Sequence, residues 1–449
     1  MLEVNNRRIL TLAVPMMLSH VTTPLLGLVD ATVIGRLGEA HLLGAVALGA
    51  VIFDFLFWSF GSLRMATAGL TAQATGAGDR AEIDRTLVRA LCVGAAIGFV
   101  LLVLQVPIGS VAFAISGASA AVQEPLALYF YIRIWSAPFT LANYAILGST
   151  LGRGRTDLGL VLQVSINLTN VVLTIALVVF AQLGVAGAAI GTTIAEMVGV
   201  ILGIIILRRL GSNPFAMPIA EVVDRTALLR MLAVNRDIMI RTIALVLAFV
   251  LFSSAGARAG DVTLAANAVL YNLFLIGGYC LDGFATAAET LCGQAVGARD
   301  ERGFRKAVRL SLLWSLASGL VVSALFLAGG EHFIDFVTTS PEVRKAARDF
   351  LVYAALTPIL GAAAFAFDGI YIGATWTRAT RDLMLIAFGL YAAVLYFGAS
   401  LNNTGLWIAF LVFLSARGLG QAFLYQRLTR RTFRAMHAEF PRDPVAQQA

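Results

Sequence analysis

Apolar residues gather in long stretches along the whole chain, divided by short polar turns. Each stretch is close to or longer than the roughly 20 residues that cross a bilayer as a helix. They fall at about 9–34, 42–74, 86–115, 122–150, 157–181, 185–208, 230–257, 263–296, 303–328, 343–373, 380–399 and 404–427. The pattern predicts an all-α integral membrane protein with twelve transmembrane helices. One polar connection is longer than the rest, about Arg209 to Leu229, where Pro214 and Pro218 preclude a continuous helix. It divides the chain into a six-helix bundle over 1–208, a cytoplasmic linker over 209–229, and a second six-helix bundle over 230–449 that ends in a basic cytoplasmic tail.

The two halves are copies of one unit. Shifted by 221 residues, Leu70–Asp79 (LTAQATGAGD) meets Leu291–Asp300 (LCGQAVGARD), with six of ten positions identical. The same offset pairs Gly148 and Gly152 with Gly369 and Gly373, Gly35 with Gly256, and Gly184 with Gly405. Duplication inside an apolar chain is a signature of transporters. Six spans per repeat is an even number, so both repeats start on the same side of the membrane. A pseudo-two-fold axis along the membrane normal should relate them.

Composition agrees with a lipid solvent: 59% of residues are hydrophobic, 13% are charged, and the mean hydropathy is +0.84. Placement of charge gives the orientation. With the N-terminus cytoplasmic, 24 of the 33 Lys and Arg face the cytoplasm, including Arg7, Arg8, Arg208, Arg209, the Arg299–Arg309 cluster and the tail from Arg427 to Arg434. Cytoplasmic termini therefore follow from the positive-inside rule. Anionic lipid headgroups account for the net charge of +7 without any nucleic acid. The three cysteines, Cys92, Cys280 and Cys292, lie within spans and read as packing residues. The first apolar stretch is too long for a cleavable signal peptide.

Ionisable groups inside spans carry the most information, because each is costly in lipid unless paired or hydrated. Six acids qualify: Asp30, Asp54, Glu196, Asp282, Glu289 and Asp368. Asp30 has no basic residue within a helical turn, and desolvation disfavours its ionised form, so it is the candidate proton carrier. Pro24, six residues earlier, removes a helical hydrogen bond and lets this span bend. On the fifth span Gln163, Asn167, Asn170 and Thr174 share one helix face, which suggests a water-lined cavity; hydrogen bonding between helices is the alternative. Asp282, Thr286 and Glu289 form a similar stripe on the eighth span, with Asp368 on the tenth. These acids either line a cavity in the second bundle or pair with Arg241 and Arg417. The i,i+4 spacing of Asp237 and Arg241 predicts a local pair. The Gly148/Gly152 and Gly369/Gly373 pairs predict close helix packing.

No enzyme constellation appears: there is no HExxH, Walker loop or GxSxG, and four scattered histidines make no metal-ligand spacing. With no nucleotide site, uphill work must draw on an ion gradient, and no bound cofactor is expected.

The stretches TTPLLGLVDATVIGRLG (22–38), LRMATAGLTAQATGAGD (63–79), NRDIMIRT (235–242), LDGFATAAETLCGQAVGARD (281–300), FDGIYIGAT (367–375) and LSARGL (414–419) together resemble the multidrug and toxic compound extrusion (MATE) transporters, specifically their DinF-like branch. The resemblance covers about residues 7–427. It implies two six-helix bundles around a central cavity that opens alternately to each side. It also implies efflux of amphipathic, often cationic, organic compounds in exchange for protons or sodium. Asp30 matches the family's first-helix aspartate, implicated in cation coupling; Asn143, Asn170 and Thr192 match polar positions around it, and Pro15 a proline near the start of the bending helix. Many relatives carry an aspartate where this chain has Thr174. A hard cation such as sodium prefers several charged oxygens, so the departure favours protons. The expectation is a monomeric multi-pass antiporter of a bacterial-type cytoplasmic membrane, with small organic molecules and lipids as its partners. A flippase of lipid-linked precursors would call for basic residues in the cavity, and a membrane enzyme or scaffold for a catalytic cluster or a large extramembrane surface.

Overall fold

The computed structural model describes residues 3–36, 38–214, 217–218 and 224–439. Among the described residues the chain is helical throughout and has no strand. The first half contains α1 (Asn6–Gly35), α2 (Ala40–Ser59), α3 (Ser62–Ala77), α4 (Arg80–Val103), α5 (Gln105–Ser116), α6 (Ala120–Arg133), α7 (Ala137–Gly152), α8 (Thr156–Ile175) and α9 (Gly184–Arg209). The second contains α10 (Arg225–Arg258), α11 (Asp261–Gly297), α12 (Glu301–Val337), α13 (Pro341–Gly373), α14 (Thr377–Phe397) and α15 (Asn402–Glu439). Among the described residues, ten helical segments are long and apolar enough to cross a membrane. Large side chains such as Phe336 and Phe423 are 89% and 85% exposed, a surface that suits lipid rather than water. This is an all-α membrane protein.

Two apolar stretches that read as single spans are broken, and proline explains both breaks. The 86–115 stretch is interrupted at Leu104, between α4 and α5. Pro107 has no N–H to give the Val103 carbonyl, and its ring crowds that carbonyl. The 122–150 stretch narrows to a 3-10 turn over Ile134–Ser136, and Pro138 stands in the same relation to Ile134. Pro358 interrupts nothing: α13 runs through it, and the Ile359 N–H turns to Ser323 Oγ at 3.2 Å on α12. α10 begins inside the stretch read as linker, because Asp224 accepts the Thr226 N–H at 2.8 Å and caps the first turn.

The chain forms two compact units. One comprises Val14–Thr71 and Asp79–Met239; the other comprises Met1–Ala13, Ala72–Gly78 and Ile240–Ala449. In the first, Val33, Ile34, Phe53, Phe57, Tyr129 and Phe130 build the core, with Phe53 and Phe130 stacked at 5.3 Å. In the second, Phe252, Trp407, Phe410 and Phe413 do so.

The repeat seen in sequence has a physical cause at several positions. A Cβ on Gly148 would strike the backbone carbonyl of Arg64; one on Gly369 would strike that of Ala285, which lies 221 residues after Arg64. Each repeat therefore uses one glycine to bring the same two helices into backbone contact, as the spacing predicts. Within the second unit, Gly76 abuts the Gln294 carbonyl while Gly297 abuts the Gln73 carbonyl, a reciprocal contact between the twin motifs. Asp79 and Asp300, the repeated aspartates, cap α4 and α12 by accepting the Glu82 and Gly303 N–H at 2.9 and 2.8 Å.

Candidate coupling site

Asp30 lies on the second half of α1, half-buried, between Val29 and Val33 of the first unit's core. Its Oδ1 is buried and has no hydrogen-bond partner among the described residues, and no ion pair within 4.0 Å holds it there. The carboxyl meets the Thr174 hydroxyl on α8. Helix α1 is continuous through Pro15 and Pro24, each of which leaves one helical hydrogen bond unmade. The side chain of Pro24 lies outside the described residues.

The polar stripe of α8 ties this helix to its neighbours in two directions. Gln163 Nε2 donates to Asn167 Oδ1 at 3.2 Å, and Asn167 Nδ2 donates to Thr22 Oγ1 on α1 at 2.8 Å. A turn further on, Asn170 Nδ2 donates to Thr192 Oγ1 on α9 at 2.8 Å, and Thr174 Oγ1 reaches Asn170 Oδ1 at 3.4 Å. Asn170 and Thr174 are fully buried. The approach of α9 is close because Gly191 faces the Thr174 backbone N–H. Directly after this contact the helix widens into a π turn over Ala176–Phe180, a feature often found beside functional sites. The Thr174 hydroxyl that Asp30 meets is thus already oriented by its bond to Asn170.

A second polar pair lies between α7 and α9. Asn143 Nδ2 donates to Glu196 Oε2 at 2.7 Å and to its backbone carbonyl at 2.9 Å. Sequence reading counted Glu196 among the intramembrane acids without joining it to Asn143. Arg133, one of the four bases in or near spans with Arg64, Arg241 and Arg417, ends α6 in the apolar run YFYIRIW, and sequence alone assigns it no partner. The signal was present: a base without a local acid must find its partner across helices.

The second unit treats its acids differently. Asp368 on α13 is buried and accepts hydrogen bonds from Arg241 Nη2 on α10, Arg417 Nη2 on α15 at 2.6 Å and Gln421 Nε2 at 2.7 Å. It is therefore a fixed ion pair. Arg241 turns to Asp368 rather than to Asp237, which pairs with Arg236 at 3.0 Å. Asp282 is half-buried and interacts electrostatically with Arg417, while the buried Glu289 lies one turn past Thr286, whose hydroxyl donates to the Asp282 carbonyl at 3.0 Å. The described residues hold no group of three or more His, Cys, Asp or Glu able to bind a metal.

The sequence model of the MatE family matches residues 15–176 and again 238–397, once in each repeat. The chain belongs to the MATE family. It is 39% identical over 417 residues to DNA damage-inducible protein F of Escherichia coli (strain K12), covering 93% of this chain and 91% of that protein. It is 26% identical over 457 residues to the multidrug resistance protein PmpM of Pseudomonas aeruginosa, covering 97% of this chain and 94% of that one. Among solved structures, a MATE crystal structure in the bent conformation superposes with a TM-score of 0.88 at 18% identity, over 95% of this chain and 97% of that chain. As a MATE protein of the DinF-like branch, the chain is a multi-pass membrane transporter of small molecules and not an enzyme.

Proposed function

We propose that this chain is a proton-coupled antiporter that exports amphipathic, cationic organic compounds by alternating access. It works as a monomer in a bacterial-type cytoplasmic membrane, with both termini in the cytoplasm. The bundles over 1–208 and 230–449 are its two moving bodies. One observation carries the reading: Asp30 is desolvated and has an oxygen left unsatisfied, whereas the buried Asp368 is saturated by two arginines and a glutamine. A buried carboxyl without a bound base is one whose charge state can change at modest cost; a doubly paired one is held ionised.

In the proposed cycle a proton from outside neutralises Asp30. The neutral acid gives up its attraction for a bound organic cation, which departs outward. The carboxyl's bonding to Thr174 and the Asn170 face changes with its charge. α1, short of hydrogen bonds at Pro15 and Pro24, bends as that bonding changes. Return to the inward-facing state releases the proton. Acids outnumber bases within the spans, six against Arg64, Arg133, Arg241 and Arg417, which favours cationic cargo over a pyrophosphate-linked lipid. Protons suit the site better than sodium, since Asp30 is met by the hydroxyl of Thr174 rather than by a second carboxylate.

Proteoliposomes with an imposed pH or sodium gradient, one at a time, test the reading. Export of a fluorescent organic cation should follow the pH gradient, be indifferent to sodium, and vanish in Asp30→Asn. Undiminished pH-driven export by that variant would remove Asp30 from the mechanism.

A further inference from the structure

Arg133 has no role in the cycle above, and its surroundings are unusual. Its Nη1 donates to Tyr129 Oη at 2.5 Å, one turn back on α6. The guanidinium lies 4.8 Å from the ring centroid of Phe53 and 5.5 Å from that of Tyr129. Its Nε is buried without a hydrogen-bond partner. A buried guanidinium normally closes on a carboxylate, as Arg241 and Arg417 both do on Asp368. Arg417 also lies over two rings, Phe365 and Phe413, but it closes on Asp368. Arg133 rests on its rings with no carboxylate within 4.0 Å among the described residues, an arrangement that supports a cation without neutralising it.

Carboxylates on three helices act on this cation. Asp54 follows Phe53 directly on α2, and Asp30 lies between Val29 and Val33, which pack in the same core as Phe53 and Tyr129. Arg133 interacts electrostatically with both acids and, more weakly placed, with Glu196 on α9. Tyr129 on α6 and Tyr144 on α7 also interact electrostatically with Arg133, and Arg64 on α3 acts on Tyr144. Two orphaned buried atoms, Asp30 Oδ1 and Arg133 Nε, thus occur in one core.

We infer that Arg133 is a positioning residue for coupling: a cation held in reserve on the Phe53–Tyr129 platform that competes with the proton for Asp30. While Asp30 is ionised, the nearby guanidinium stabilises its charge. When a proton arrives, the attraction lapses and Asp54 and Glu196 are left as the acidic neighbours of Arg133. No bond is made or broken beyond the O–H on Asp30. The inference rests on Asp30 being the proton carrier.

The test reads the protonation of Asp30 directly. Dicyclohexylcarbodiimide attacks protonated carboxyl groups in apolar sites, and mass spectrometry of the purified full chain reports labelling at Asp30 across pH. Arg133→Gln should move the half-labelling pH at Asp30 upward by about one unit, the lower end of what a neighbouring opposite charge does. Arg133→Lys should stay near the wild-type midpoint. Tyr129→Phe removes the hydroxyl that holds Arg133 away, so it should move the midpoint downward; it serves if Arg133→Gln does not fold. In proteoliposomes the pH optimum of export should shift with the labelling midpoint. Unchanged midpoints in Arg133→Gln, or in Tyr129→Phe where that variant stands in, would overturn the inference. Retained pH-driven export by Asp30→Asn would instead overturn the coupling role of Asp30, whatever the labelling shows.

Discussion

The two units began as one sequence, yet they handle buried charge in opposite ways. Position 196 on α9 and position 417 on α15 correspond at the 221-residue offset, and one is glutamate while the other is arginine. In the second unit Arg417 joins Arg241 on Asp368 and Gln421 completes the carboxylate's bonding. In the first, Glu196 is bonded by the neutral amide of Asn143, Asp30 keeps an unsatisfied oxygen, and Arg133 lies on aromatic rings. The repeated glycines and capping aspartates show that the scaffold tolerated little change. The charges differ in kind: one set is closed into an ion pair, while in the proposed cycle the other carries the proton.

The comparison breaks most readily at Asp368. Asp368→Ala leaves two buried guanidiniums without a counter-ion and should destabilise the protein by about 3–5 kcal/mol, seen as a large fall in thermal unfolding temperature in detergent. Asp30→Asn should cost less than about 1 kcal/mol in the same scan, because no ion pair is lost. Equal effects would mean that the two aspartates are alike in kind. Next in size is the shared helix contact. Gly369→Ala and Gly148→Ala each force a Cβ against a backbone carbonyl and should cost about 1–3 kcal/mol. Gly27→Ala on α1, where a Cβ would meet nothing within 4 Å, should be neutral or stabilising by up to about 1 kcal/mol. Smaller than the helix contact are the repeated caps: Asp79→Ala and Asp300→Ala should each cost about 1 kcal/mol, and a marked inequality would show that the symmetry of the caps is only geometric.

Much of the architecture was legible because lipid imposes a coarse rule. Apolar length alone located the membrane segments, and the 221-residue offset exposed the duplication. The breaks at Leu104 and Ile134–Ser136 escaped because both runs stay apolar across them; the telling residues, Pro107 and Pro138, stand three or four positions later, where the missing N–H acts back on an earlier carbonyl. Asp30 was legible as an acid without a local base. Its surroundings were not. Neither Asn143 with Glu196 nor Arg133 with Phe53 is adjacent in sequence, and only packing of α2, α6, α7 and α9 brings them together. The choice between a cavity and fixed ion pairs for Asp368 likewise depended on Arg417, 49 residues away.

The most direct test of the account is proton release on cargo binding. Purified protein in weakly buffered detergent solution, mixed with an organic cation, should release about one proton per molecule bound near the pH where Asp30 is half protonated, as linkage requires. Release should disappear in Asp30→Asn and persist in Glu289→Gln. Cation binding without proton release in the wild type, at any pH across the titration of Asp30, would contradict the claim that cargo and proton compete for this carboxyl.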